Sequence, residues 1–143
     1  MYQFQRMGLE TLDEQEYMNF GDKLIFQTLP WIHFILDTQK AELVLLRITD
    51  AGNFIGYFTG FAFSRFGVKI IGSPFNGWTT CYMGFNVINA VSRADLVDPL
   101  WKFVRGAYGC KYLEITDRFM TFGEAQAVAL MTTSHTTYVK DLT

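Results

Sequence analysis

Only two cysteines, Cys81 and Cys110, occur in this chain, so a disulfide framework is excluded. Its two histidines, His33 and His135, form no short-spaced Cys/His set of the kind that holds a metal. Neither a Gly-x-Ser-x-Gly elbow nor a phosphate-binding P-loop is present, which removes two common routes to nucleophile and nucleotide chemistry. Basic charge is sparse: 12 Lys and Arg residues, scattered along the sequence, are outnumbered by 14 Asp and Glu, for a formal charge of −2. A dedicated nucleic-acid binder needs clustered cations, so DNA is not an expected partner.

Long apolar runs are missing too. One charge-free stretch of the aromatic region, Asn53 to Ser64, is too short to span a bilayer and contains Gly56 and Gly60. The opening MYQFQRMGLE lacks the basic region, apolar core and cleavage site of a secretory signal. These absences together predict a reduced, cytoplasmic protein with no transmembrane segment and no intrinsic cofactor. At 143 residues the chain is one domain, long enough to bury roughly 68% of its unfolded surface.

Apolar and aromatic side chains are abundant: 50% of residues are hydrophobic and 17% aromatic, with 14 Phe. They are densest from Phe54 to Phe85, which holds three strand-like segments, a Gly-Ser-Pro turn and an aromatic loop. So few polar side chains require a sheet covered on both faces. Upstream, Thr11 to Glu14 reads as a capping box starting a helix with Tyr17, Phe20, Leu24 and Ile25 on one face. Pro30 opens a second helix, Trp31 to about Thr38. Strands follow at 41–48, 54–63, 68–71 and 80–85, the first hairpin having Thr49 to Asn53 as its loop, with Gly52 and Asn53 able to take positive φ, and Gly56 and Gly60 marking a bulge or close backbone approach.

Asp98 and Pro99 predict the start of a helix carrying the stripe Leu100, Phe103, Val104 and Ala107, with 92–97 as a separate turn. Gly109 ends that helix, 110–116 is a strand parallel to a neighbour, 124–131 a helix and 136–142 β-like. The fold class is therefore α/β in the mixed α+β sense: a mainly antiparallel sheet flanked by helices on both faces. Strands this closely spaced argue against a doubly wound parallel fold.

This order is similar to the acetyltransferase (GNAT) fold, and the residues look more narrowly like the GNAT-like domains of Fem-type aminoacyltransferases. The match is carried by Trp31-Ile32-His33-Phe34, by Leu43-Val44-Leu45-Leu46 through Ile55-Gly56-Tyr57-Phe58, by Leu113-Glu114-Ile115-Thr116-Asp117, and by Thr137 to Leu142. It implies N-acyl transfer, in which a small-molecule or peptide amine attacks an acyl group activated as acyl-CoA or aminoacyl-tRNA. It also implies the first half of a two-domain transferase, whose site a second GNAT-like domain completes. The Arg/Gln-x-x-Gly-x-Gly/Ala turn of acyl-CoA-binding relatives is not recognisable; Arg105 to Gly109 comes nearest, at a helix end and with different spacing.

The best site candidate is Gly72 to Thr80. Ser73, Phe75, Asn76, Trp78 and Thr79 combine amides, hydroxyls and aromatic rings suited to a polar ligand with an apolar part. The same residues also suit a wide turn whose rings plug the core. Glu114 and Asp117, at a strand end, could orient an attacking amine, or serve as a cap and an Arg118 ion pair. Tyr82 is a candidate donor to the leaving group, or a packing residue. His33 has no nucleophile or carboxylate partner in sight, and Cys81 no activating neighbour. The alternative function is a non-catalytic module that pairs through its sheet edge as a homodimer or with another protein.

Overall fold

A computed structural model describes residues 1–21 and 23–128. The helical part of 129–131, His135 and the expected strand 136–142 lie outside the described residues. Within them runs β1 (Tyr2–Met7), α1 (Glu14–Asn19), α2 (Leu29–Gln39), β2 (Glu42–Asp50), β3 (Asn53–Arg65), β4 (Val68–Ser73), β5 (Phe85–Val87), α3 (Ala94–Tyr108), β6 (Tyr112–Ile115) and α4 (Phe122–Val128). Among the described residues the sheet runs β1-β2-β3-β4-β6, with β5 paired to β3, and only the β4/β6 pair is parallel. It is a mixed α+β fold on an open, mostly antiparallel sheet.

Period-two alternation sorts the strands between two cores. Val44, Leu46, Ile48, Phe58 and Ala62 face α3, where Leu96, Leu100 and Val104 are fully buried. Leu45, Tyr57 and Phe61 face α1 and α2, meeting Tyr17, Ile32 and Ile35. Each such side chain contributes about 1.5–3 kcal/mol relative to exposure. Helices thus cover both faces.

Several local expectations are corrected. Strand β1 was not anticipated, although Tyr2 and Phe4 alternate with glutamines and pack against the α3 core. Asp13, not Thr11, caps α1, its carboxylate accepting from Glu16 N at 2.9 Å, while Thr11 bonds back to Gly8. That helix stops at Asn19, so Ile25 lies off it and is exposed. In the β2–β3 turn, Ala51 and Gly52 take positive φ, not Asn53, because Asp50 pairs with Asn53 and leaves a two-residue loop.

Helix α3 begins at Ala94 and runs through Pro99. Pro99 has no N–H to bond the carbonyl of exposed Asp95, while the extra turn buries Leu96 completely. Burial of Leu96 in line with Leu100 and Val104 offsets the proline. Gly109 does end α3, at φ 64.

The register slips once, between Ile48 and Thr49, leaving Ile55 as the extra residue of a bulge beside Gly56. Gly56 sits at φ 145, and a Cβ there would overlap the Asn86 carbonyl and lie 2.7 Å from Val87 Cα. Only glycine lets β5 approach β3 at this point.

Candidate functional site

Strands β4 and β5 lie in tandem along one edge of β3: β4 pairs with Phe61–Arg65 and β5 with Gly56–Phe58. The chain leaves the sheet after Ser73, makes an excursion over residues 74–84, and returns at Phe85. The fourth strand expected at 80–85 is therefore displaced to Phe85–Val87. Residues 74–84 sit beyond the C-terminal ends of the parallel pair β4/β6, where ligands collect in α/β sheets.

Backbone-directed side chains clamp the two ends of the excursion. The fully buried Ser73 hydroxyl donates to Thr59 O and accepts from Gly84 N at 2.9 Å. Thr116 bridges the same gap, its N–H bonding Ser73 O and its carbonyl accepting from Met83 N, each at 3.0 Å. Gly84 has φ 68, and a Cβ would lie 2.8 Å from the Asp117 Cγ.

Asp117 lies beneath this junction with its side chain only 2% exposed. Its carboxylate accepts from Phe85 N and Phe119 N, both at 2.9 Å, and pairs with Arg93 Nε at 3.4 Å. Burial raises its pKa, opposed by those amides and by Arg93. The expected ion pair with Arg118 is thus made by Arg93 instead: the α3 N-terminus brings Arg93 to the carboxylate, while Arg118 lies over the Tyr82 and Phe119 rings.

The excursion itself is an aromatic wall. Phe75 closes over Gly72, and its ring meets Trp78 at 5.1 Å and Phe63 at 6.1 Å; Trp78 also meets Phe61 at 5.7 Å. Glu114 on β6 reaches the tip, where its Oε1 accepts from Asn76 N at 3.0 Å. Asn76 and Thr79 are exposed, whereas Thr80 is buried and accepts from Trp31 Nε1 at 2.9 Å. Tyr82, on the returning limb, packs edge-on against Phe26 at 5.1 Å, with the Arg118 guanidinium 5.7 Å from its ring.

The structure therefore gathers Ser73, Phe75, Asn76, Trp78 and Glu114 around the loop, with Asp117 under its base. Tyr82 belongs to a neighbouring aromatic cluster with Phe26, Trp31 and Phe34. His33 lies exposed on α2. Cys81 is exposed, and Cys110 is buried with its thiol donating to Tyr112 O.

Sequence reasoning did not find a polar layer behind the wall. Tyr17 OH donates to Gln27 O at 2.5 Å and lies 3.2 Å from Thr59 Oγ1, while Gln27 Nε2 donates to Met83 O at 2.9 Å. Lys23 Nζ sits 3.7 Å from the Tyr17 ring centroid with no hydrogen-bond partner among the described residues, and burial lowers its pKa to about 8. Single polar residues tens of positions apart carry no sequence signal of such convergence. Among the described residues no group of three His, Cys, Asp or Glu side chains converges to hold a metal, and no helix is long and apolar enough to cross a membrane.

No family profile, curated protein or solved structure matches this chain.

Proposed function

We propose that this chain is a GNAT-like domain resembling the first half of a Fem-type transferase and presents one wall of an N-acyl-transfer site. The observation that carries this reading is Glu114 at the end of a parallel strand pair, with one carboxylate oxygen on Asn76 N and Oε2 without a hydrogen bond among the described residues. A free carboxylate oxygen beside an aromatic wall suits an amine with an apolar body. In the transfer, the amine nitrogen forms a bond to the acyl carbon and passes its proton to Glu114. The bond from that carbon to the sulfur of acyl-CoA, or to the ribose oxygen of aminoacyl-tRNA, breaks. Tyr82 lies outside the wall, in the neighbouring aromatic cluster, so the departing sulfur or oxygen takes its proton from Glu114, which received it from the amine. Among the described residues the wall is one-sided and carries no glycine-rich helix start for pyrophosphate; in this reading a second GNAT-like domain or a second copy supplies the facing wall.

Thermal-shift titration with lysine-containing peptides, in the presence and absence of acetyl-CoA, tests this. Amine-dependent stabilisation that Glu114→Gln and Trp78→Ala both abolish is the expected result. A response indifferent to both substitutions removes the wall from the site. A separate shift with acetyl-CoA alone assigns the donor to the thioester class; its absence favours charged tRNA.

One observation favours a second reading, a pairing module. Among the described residues β6 has an unpaired outer edge, its Tyr112 is about half exposed, and so are Phe119 and Phe122 in the segment that follows it. Light scattering on the eluting protein separates the readings: a stable dimer without ligand response supports the module.

A further inference from the structure

Cations that are scattered in sequence are gathered by the fold. The β3–β4 hairpin, the α3 C-terminus and the start of β6 all lie at the end of the sheet opposite the aromatic wall. That end carries Arg65, Lys69, Lys102, Arg105 and Lys111. Lys111 N bonds Lys69 O at 2.9 Å, and Lys102, Arg105 and Lys111 line one shallow depression. Among the described residues two carboxylates pair with them, Glu42 with Lys69 at 3.0 Å (and with Arg6 at 3.6 Å) and Asp98 with Lys102 at 4.0 Å, fewer than the cations gathered here in a protein of net charge −2.

At the tip of that hairpin stands Phe66. Its φ is 51, followed by Gly67 at 76, a turn conformation that favours Asn-Gly and strains a bulky side chain. Phe66 is 93% exposed, with the Arg65 guanidinium 5.5 Å from its ring centre, and Val68 beside it is 42% exposed. At that exposure the Phe66 ring buries little apolar surface on folding. A strained, solvent-facing phenylalanine on a convex tip, backed by cations, has the composition of an interfacial anchor.

We propose that this end of the molecule docks on an anionic bilayer surface, Phe66 entering the headgroup boundary while Arg65, Lys69, Arg105 and Lys111 meet lipid phosphates. A bilayer is favoured over single-stranded nucleic acid because the ring protrudes from a convex tip. Base stacking uses a platform inside a groove, and no second aromatic flanks Phe66 among the described residues.

Co-sedimentation of the full chain with phosphatidylglycerol-containing vesicles, against pure phosphatidylcholine vesicles, tests the proposal. Binding to the anionic vesicles only, weakened by salt, is expected. Phe66→Asn should lower the partition coefficient about tenfold, and Arg105→Gln with Lys111→Gln together about 25-fold. Asn suits the turn, so circular dichroism and melting of Phe66→Asn should equal or exceed those of the parent, which separates lost binding from lost folding. Equal partitioning of Phe66→Asn and the parent, or no binding to anionic vesicles, overturns the proposal. Phe66-dependent binding to an oligonucleotide without vesicle binding overturns it in favour of nucleic acid.

Discussion

Glu114 Oε1 accepts a hydrogen bond from the backbone N–H of Asn76 at 3.0 Å, so the tip of the 74–84 excursion hangs from a carboxylate on β6. A charge-assisted bond in a partly exposed setting stabilises by about 1 kcal/mol. Glu114→Ala should therefore lower the urea midpoint modestly and speed protease cleavage within the loop. Glu114→Gln keeps an acceptor and should lie between. If all three proteins are cut at one rate, the carboxylate does not hold the loop.

The Asp117–Arg93 pair should behave differently because the Asp117 side chain is only 2% exposed and that of Arg93 16%. Asp117→Ala removes the acceptor for two backbone amides and strands Arg93, at a cost of about 3–5 kcal/mol. Its folded pKa is raised by burial, so protonation favours the folded state. The stabilisation is fully present below the ordinary aspartate value and is lost as pH rises through the folded value. Parent-minus-Asp117→Asn stability should thus be larger in acid than at neutral pH, as chemical denaturation across that window would show. The opposite slope would mean that Arg93 and the amides outweigh burial.

Close backbone approach at Gly56 gives a sharper contrast. Gly56→Ala drives a Cβ into the Asn86 carbonyl and should cost upwards of about 3 kcal/mol, because backbone, not a side-chain tip, must move. Gly52→Ala, also at positive φ but with nothing within 4 Å, should cost about 1 kcal/mol. Equal urea midpoints for the two variants would deny the bulge its role in seating β5.

What could be read from the sequence follows range. The two hairpins and the helical crossover to β6 were legible because alternation, glycine in the connecting loops and the Gly109 stop act locally, though both hairpin loops proved to be two residues, shorter than expected. The interruption between Ser73 and Phe85 was not, because Ser73, Thr116 and Asp117 fix it through bonds between distant segments. Continuity of α3 through Pro99 was hidden for a related reason: burial of Leu96 on the sheet decides it, not helix propensity. Residues 72–80, Glu114 and Asp117 were singled out as polar groups at strand ends. Their division of labour, Asp117 beneath the loop and Glu114 at its tip, needed coordinates.

Alkaline titration should expose the polar layer around Tyr17. Burial pushes Lys23 down to about 8 from an ordinary 10.5, so the unfolded chain binds the proton more tightly and stability rises with pH between those values. Burial raises Tyr17 to about 12, and burial with the Glu16 carboxylate does the same for Tyr57. Their stabilisation is complete below the ordinary tyrosine value of 10.0 and is lost as pH climbs toward 12. The two effects oppose, and denaturation free energies should peak near pH 10. Lys23→Met should remove the rising limb and leave the fall; Tyr17→Phe should soften the fall, with Tyr57 retaining part of it. The Tyr17 ring face, 3.7 Å from the ammonium, favours the charged form and works against the rising limb. A parent profile flat from pH 8 to 10, unchanged by Lys23→Met, would therefore show that this contact outweighs burial and keeps Lys23 charged in the folded protein.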